Sequence, residues 1–132
     1  MEWMEAIGEA IDYIEAHIEE EITLNDIANQ VHVSPFYFHR GFGMLCGYSL
    51  NEYIRNRRLS LAGGELISSD ITVMELAIKY GYESPDSFTR AFSRFHGISP
   101  SAVRKGNAAV KSFAPLKLTI SLKGGYLMEY KI

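Results

Sequence analysis

The chain has 132 residues, 47% of them hydrophobic and 22% charged, which fits one small soluble domain with an appendage. No apolar run approaches the ~20 residues that cross a bilayer, and the acidic opening Met1-Glu2-Trp3-Met4-Glu5 lacks the order of a signal peptide. The single cysteine, Cys46, rules out a disulfide framework or a multi-cysteine zinc site, so the cytoplasm is the expected compartment.

Net charge is −3, but it is unevenly placed. Residues 1–21 hold eight acids and no Lys or Arg, whereas residues 22–111 hold ten Lys or Arg against seven acids. A mildly basic body follows an acidic lead, and the total conceals it.

In chain order, Ile7, Ile11, Ile14 and Ile18 recur at helical spacing and predict an amphipathic helix over 4–20. Thr23…Asp26, Ser49…Glu52 and Thr72…Glu75 each place a hydroxyl three residues before an acid, the capping-box spacing. Ser34-Pro35, Ser84-Pro85 and Ser99-Pro100 put Ser at the N-cap and Pro at the first helical position, where its absent N–H costs nothing. These signals predict further helices over 24–31, 35–46, 50–68, 73–80, 85–96 and 100–104. From Leu116 the pattern alternates apolar and polar, turns at Lys123-Gly124-Gly125 and alternates again to Ile132, which predicts a β-hairpin. The expected fold class is therefore all-α with a short C-terminal β-hairpin.

The chain repeats itself at an offset of 50. Ser34/Ser84, Pro35/Pro85, Phe38/Phe88, Arg40/Arg90, Phe42/Phe92, Gly47/Gly97 and Ser49/Ser99 are identical pairs. Upstream, Leu24–Ala28 aligns with Val73–Ala77 at an offset of 49, so the second turn has one residue more. Each copy is a short helix, a tight turn and a longer helix, a helix-turn-helix written twice. Ala28 and Ala77 allow close helix packing. Gly81 suits the positive φ its turn requires, while His32 holds that place in the first copy under mild strain. On a helical wheel Phe38, Phe42 and Leu45 share one face, as do Phe88, Phe92 and Phe95; both faces belong to the core. The opposite faces carry Phe36, His39, Arg40 and Gly43, and Asp86, Thr89, Arg90 and Ser93, a set suited to base edges in a major groove. The linking helix, ~28 Å long at 1.5 Å per residue, would hold the two reading helices near one DNA turn apart.

These residues resemble the DNA-binding domain of AraC/XylS-type transcriptional regulators. The resemblance is carried by Leu24–Ala28, Ser34–Phe42, Gly47-Tyr-Ser49, Tyr53-Ile54, Arg58-Leu59, Ala62 and Ala77–Gly81. Its strongest parts are Gly81-Tyr-Glu-Ser-Pro-Asp-Ser-Phe-Thr-Arg-Ala-Phe92 and Gly97-Ile-Ser-Pro100. It covers about residues 5–105 and implies two helix-turn-helix units joined by a long helix, asymmetric promoter sites and contact with RNA polymerase. It implies base reading by Phe36, His39 and Arg40 in the first unit and by Asp86, Ser87, Thr89 and Arg90 in the second. Asp86 either accepts from cytosine N4 or caps its own helix. The tail from Ala114 resembles the opening of a GyrI-like effector-binding domain. On that reading the DNA-binding domain is 1–105, residues 106–132 are a linker and hairpin, and a small-molecule effector acts only through a domain beyond this sequence.

Other basic and capping residues divide between backbone contact and structure. Arg55 and Arg57 are expected to hold phosphates, as are the helix starts at Ser34, Ser84 and Ser99, and Lys105 beyond the last helix. Arg58 faces the apolar side with Ile54 and Leu61 and is expected in a structural ion pair; Ser49 is expected only to cap. His17, His32 and His96 are expected at the surface or in turns, and Cys46 as a small buried hydrophobe. Gly63-Gly64 either permits close packing or lets the halves flex. No cofactor or metal motif and no catalytic spacing is present in the sequence, so the expectation is not an enzyme. The competing reading is a protein-interaction module using the acidic first helix or the hairpin.

Overall fold

A computed structural model describes residues 3–106, 109–117, 121–122 and 130–131. Seven helices run in order: α1 Trp3–Ala16, α2 Leu24–Val31, α3 Pro35–Cys46, α4 Leu50–Ser68, α5 Val73–Lys79, α6 Pro85–His96 and α7 Pro100–Arg104. Six of them open on a Ser or Thr whose oxygen accepts a backbone N–H from the first turn; reciprocal capping boxes close at Thr23–Asp26, Ser49–Glu52 and Thr72–Glu75.

Helix α1 ends four residues before the expected boundary. The isoleucine periodicity runs on, because Ile18 is still buried, but the backbone has left the helix by His17. There the His17 ring stacks on Tyr13 and its Nδ1 meets the Tyr13 carbonyl at 2.8 Å.

Two apolar cores form. The first gathers Ile7, Ile11 and Ile14 of α1, Ile27 and Val31 of α2, Phe38 and Phe42 of α3, and Leu50, Tyr53 and Ile54 of α4. The second gathers Leu59, Ala62 and Leu66 of α4, Leu76 and Ala77 of α5, Phe88 and Phe92 of α6, and Val103 of α7. Helix α4, 19 residues and ~28 Å long, therefore gives its first half to one core and its second half to the other. Leu61, between the halves, packs against both.

Residues 109–117 form a strap without regular secondary structure, tied to α6 and α4 by three backbone hydrogen bonds. The Lys111 N–H donates to His96 Nδ1 at 3.0 Å, the Phe113 N–H to Ser60 Oγ at 2.9 Å, and the Leu116 N–H to the Tyr53 hydroxyl at 3.2 Å. Val110 packs on the second core, Phe113 and Leu116 on the first. This strap corrects the expected hairpin, which was to begin at Leu116. Leu116 is tied to the helical body, and neither it nor Lys117 lies in a strand. Beyond it, β1 Ser121–Leu122 pairs antiparallel with β2 Tyr130–Lys131, and the expected turn at Lys123–Gly125 lies outside the described residues.

His96 is also corrected. It is 6% exposed, with Nε2 2.7 Å from the Leu59 carbonyl, and burial pushes its pKa below the usual histidine value. Gly63 makes room for it: a Cβ there would come within 2.9 Å of the His96 ring and 3.1 Å of Val110. Of the two readings of Gly63, close packing is the one the structure supports.

Candidate nucleic-acid interface

Each unit presents its longer helix by the same device. In α3, Phe38 and Phe42 are fully buried and anchor the helix, with their rings 5.9 Å apart. In α6, Phe88 and Phe92 do the same at 5.7 Å. Anchoring at i and i+4 turns the remaining faces outward. Phe36, His39 and Arg40 are exposed on α3; Asp86 and Arg90 are exposed on α6, with Thr89 half-buried beside them. Ser34 and Ser84 cap the two helices through Tyr37 N–H at 3.3 Å and Ser87 N–H at 3.1 Å.

The outward faces differ in chemistry. Phe36 is 63% exposed and packs edge-on to exposed Tyr37, while the Arg40 guanidinium carbon stands 5.7 Å over the Phe36 ring. That is within cation–π range, so Arg40 is held over an aromatic platform. Arg90 has neither aromatic ring nor carboxylate against it among the described residues. Ser87 is occupied locally: it accepts from Ser84 N–H at 3.2 Å and donates to the Ser84 carbonyl at 2.9 Å. Ser87, not Asp86, therefore closes the α6 cap, and the Asp86 carboxylate stays exposed in the first turn.

On α4 the basic cluster separates. Arg55 is exposed. Arg57 is not available to phosphate, which corrects the expectation for it. It is 6% exposed and grips Glu15 of α1 with Nε and Nη2 at 2.8 and 2.6 Å, while Nη1 donates to the Phe113 carbonyl at 2.6 Å. The Glu15 hydrogen bonds raise its already high pKa. Arg58 is corrected too. It makes no ion pair among the described residues and instead donates from Nε to the Ile18 carbonyl at 2.9 Å and from Nη2 to the Glu20 carbonyl at 2.7 Å. It ties α4 to the carbonyls of the turn that follows α1.

Ser99 caps α7 by accepting from Ala102 N–H at 3.2 Å, and Lys105, exposed, ends that helix. Cys46 packs half-buried against the first core, and burial pushes its thiol up to about 11. Among the described residues no helix is long and apolar enough to cross a membrane, and no group of three His, Cys, Asp or Glu residues could hold a metal.

Known proteins share this arrangement. A helix-turn-helix domain family model matches residues 27–106. The uncharacterized HTH-type transcriptional regulator YbfP of Bacillus subtilis is 38% identical over 104 residues, 79% of this chain and 35% of YbfP, so the chain spans about a third of that relative. An AraC-type DNA-binding domain-containing transcriptional regulator of Chromobacterium violaceum superposes with a TM-score of 0.73 at 27% identity, covering 79% of this chain and 93% of that one. The DNA-binding domain of AdpA, a global transcriptional factor solved in complex with a target DNA, superposes with a TM-score of 0.70 at 28% identity over 76% of this chain and 91% of that one. The chain belongs to the AraC-type helix-turn-helix family and is a DNA-binding transcription regulator.

Proposed function

We propose that the chain reads two adjacent major-groove segments of an asymmetric operator, one with α3 and one with α6. The observation that carries this is the duplicated anchor: Phe38/Phe42 and Phe88/Phe92 are all fully buried, on helices joined by one ~28 Å helix. Duplicated anchoring leaves two reading faces, near the spacing of one duplex turn. In α3, Arg40 and His39 contact bases and Phe36 packs on a thymine methyl; in α6, Arg90 and Thr89 contact bases, with Asp86 beside them as an acceptor for cytosine N4. Arg55, Lys105 and the helix starts at Ser34, Ser84 and Ser99 hold the backbone.

RNA polymerase is the proposed protein partner. The exposed apolar side chains of Met74 and Ile78 on α5 and Ile67 on α4 support a protein contact. Residues 1–105 are the proposed DNA-binding unit, with 106–132 the linker and opening hairpin of a GyrI-like effector-binding domain through which a small molecule acts.

Selection from random duplex DNA, with affinities of the winners measured at two salt concentrations, tests the reading. A bipartite asymmetric motif with its parts about 10 base pairs apart is expected. Recovery of one half alone would make the other unit structural, and no enrichment would favour the protein-interaction reading.

A further inference from the structure

Arg94 and Lys111 have no role in the reading above, yet they share an open cleft of about 350 Å³ with Arg55. Its lining comes from α4, α6 and the strap: Arg55, Asn56 and Leu59, then Ala91, Arg94 and Phe95, then Lys111. No Asp or Glu lines it, and none of the three cations is ion-paired among the described residues. Three like charges around one cleft repel, and folding gains nothing from gathering them. An anion in the cleft reverses that sign.

The arrangement is built. The Lys111 backbone N–H is fixed to Nδ1 of buried His96, whose Nε2 is fixed in turn to the Leu59 carbonyl. His96 fits there because residue 63 has no Cβ. Arg94 stands one helical turn beyond Arg90, ~6 Å further along α6.

We propose that this cleft binds a phosphate group, and that in the DNA complex it takes a backbone phosphate flanking the groove that α6 enters. The choice of DNA as the source rests on α6 reading DNA; the phosphate chemistry of the cleft does not.

The test measures the affinity of the full chain for the selected duplex and for a scrambled one across a salt series. Each phosphate contact contributes about 0.9 to the slope of log K against log salt, or about fivefold in affinity at 0.15 M. Arg94→Ala and Lys111→Ala should each lower the slope by that amount on both duplexes, leaving the base preference intact, and Arg94→Lys should restore it. A second arm follows Tm without DNA, exchanging chloride for inorganic phosphate at constant ionic strength. Unchanged slopes, with phosphate raising Tm of the wild type but not of the Arg94→Ala/Lys111→Ala double variant, would overturn the DNA source and assign a free phosphorylated ligand. Unchanged slopes and no rise in Tm would overturn the cleft altogether. If the wild type bound no duplex, the reading by α6 would fail, and the Tm arm would still decide the cleft.

Discussion

The turn between α2 and α3 is closed by His32 at φ 59° and ψ 39°, whereas the matching residue of the second unit is Gly81 at φ 79°. Matching bonds, Val33 N–H to the Ala28 carbonyl at 3.1 Å and Tyr82 N–H to the Ala77 carbonyl at 2.8 Å, place the extra residue of the second turn at Glu83. The reading faces diverge as well: Arg40 lies over the Phe36 ring, and Arg90 projects alone. One scaffold thus carries two different tolerances. The anchors that set helix position are the same in both units, and the parts that touch solvent or set backbone strain are not.

The anchors carry the largest expected effect. Phe42→Ala and Phe92→Ala should each cost about 3–5 kcal/mol, because each removes a fully buried ring from its own core. Denaturant unfolding measures both. A marked inequality between them would mean that the two cores are not equivalent supports. At the reading faces, Arg90→Ala should weaken specific binding by about 1–3 kcal/mol and relax one base position. Arg40→Ala should cost less, since its guanidinium is already engaged by Phe36. Equal losses would show that the aromatic platform presents Arg40 to DNA instead of restraining it.

Position 96 separates the two units through pH. Its counterpart in the repeat is Cys46, whose thiol, pushed up to about 11, does not titrate near neutrality. Burial holds the folded-state pKa of His96 below that of the unfolded chain, so the unfolded state takes up the proton first. The stabilisation from neutral His96 is present above the unfolded pKa of about 6.5 and is lost as pH falls through the lower folded value. The slope is at most about 1.4 kcal/mol per pH unit for one proton. Stability curves between neutral and mildly acid pH should steepen for the wild type, and His96→Gln should flatten them. The same slope in that variant would assign the effect to other groups.

The starts of α2 to α7 were legible because each carries its cap within four residues, and the repeat was legible because the anchoring phenylalanines recur at a fixed offset. What failed depends on distant chain. Arg57 and Arg58 are neighbours on one helix, and only Glu15, 42 residues away, and the strap carbonyl of Phe113 decide which of them is buried. His96 reads as a surface residue until Gly63 and the Lys111 N–H are brought against it. The strap has no signature of its own, since a segment held by side chains of α4 and α6 has neither helical nor strand periodicity. The cleft that includes Lys111 was illegible for the same reason.

The turns carry the smallest effect. A left-handed backbone costs a residue with a Cβ roughly 1–2 kcal/mol. Nothing lies within 4 Å of a Cβ built at Gly81, so Gly81→Ala meets backbone strain alone; the lower freedom of alanine in the unfolded chain returns roughly 0.5–1 kcal/mol of it, and the net loss should be about 1 kcal/mol. In the first unit the strain is already present at His32. His32→Gly removes it, but glycine also gains freedom in the unfolded chain, worth roughly 0.5–1 kcal/mol against folding. The two terms nearly offset, so His32→Gly should change stability by less than about 1 kcal/mol, in the stabilising direction. A clear loss of stability would mean that the exposed His32 side chain makes a contribution larger than the strain it imposes. The first turn would then be adapted to histidine, not merely tolerant of it.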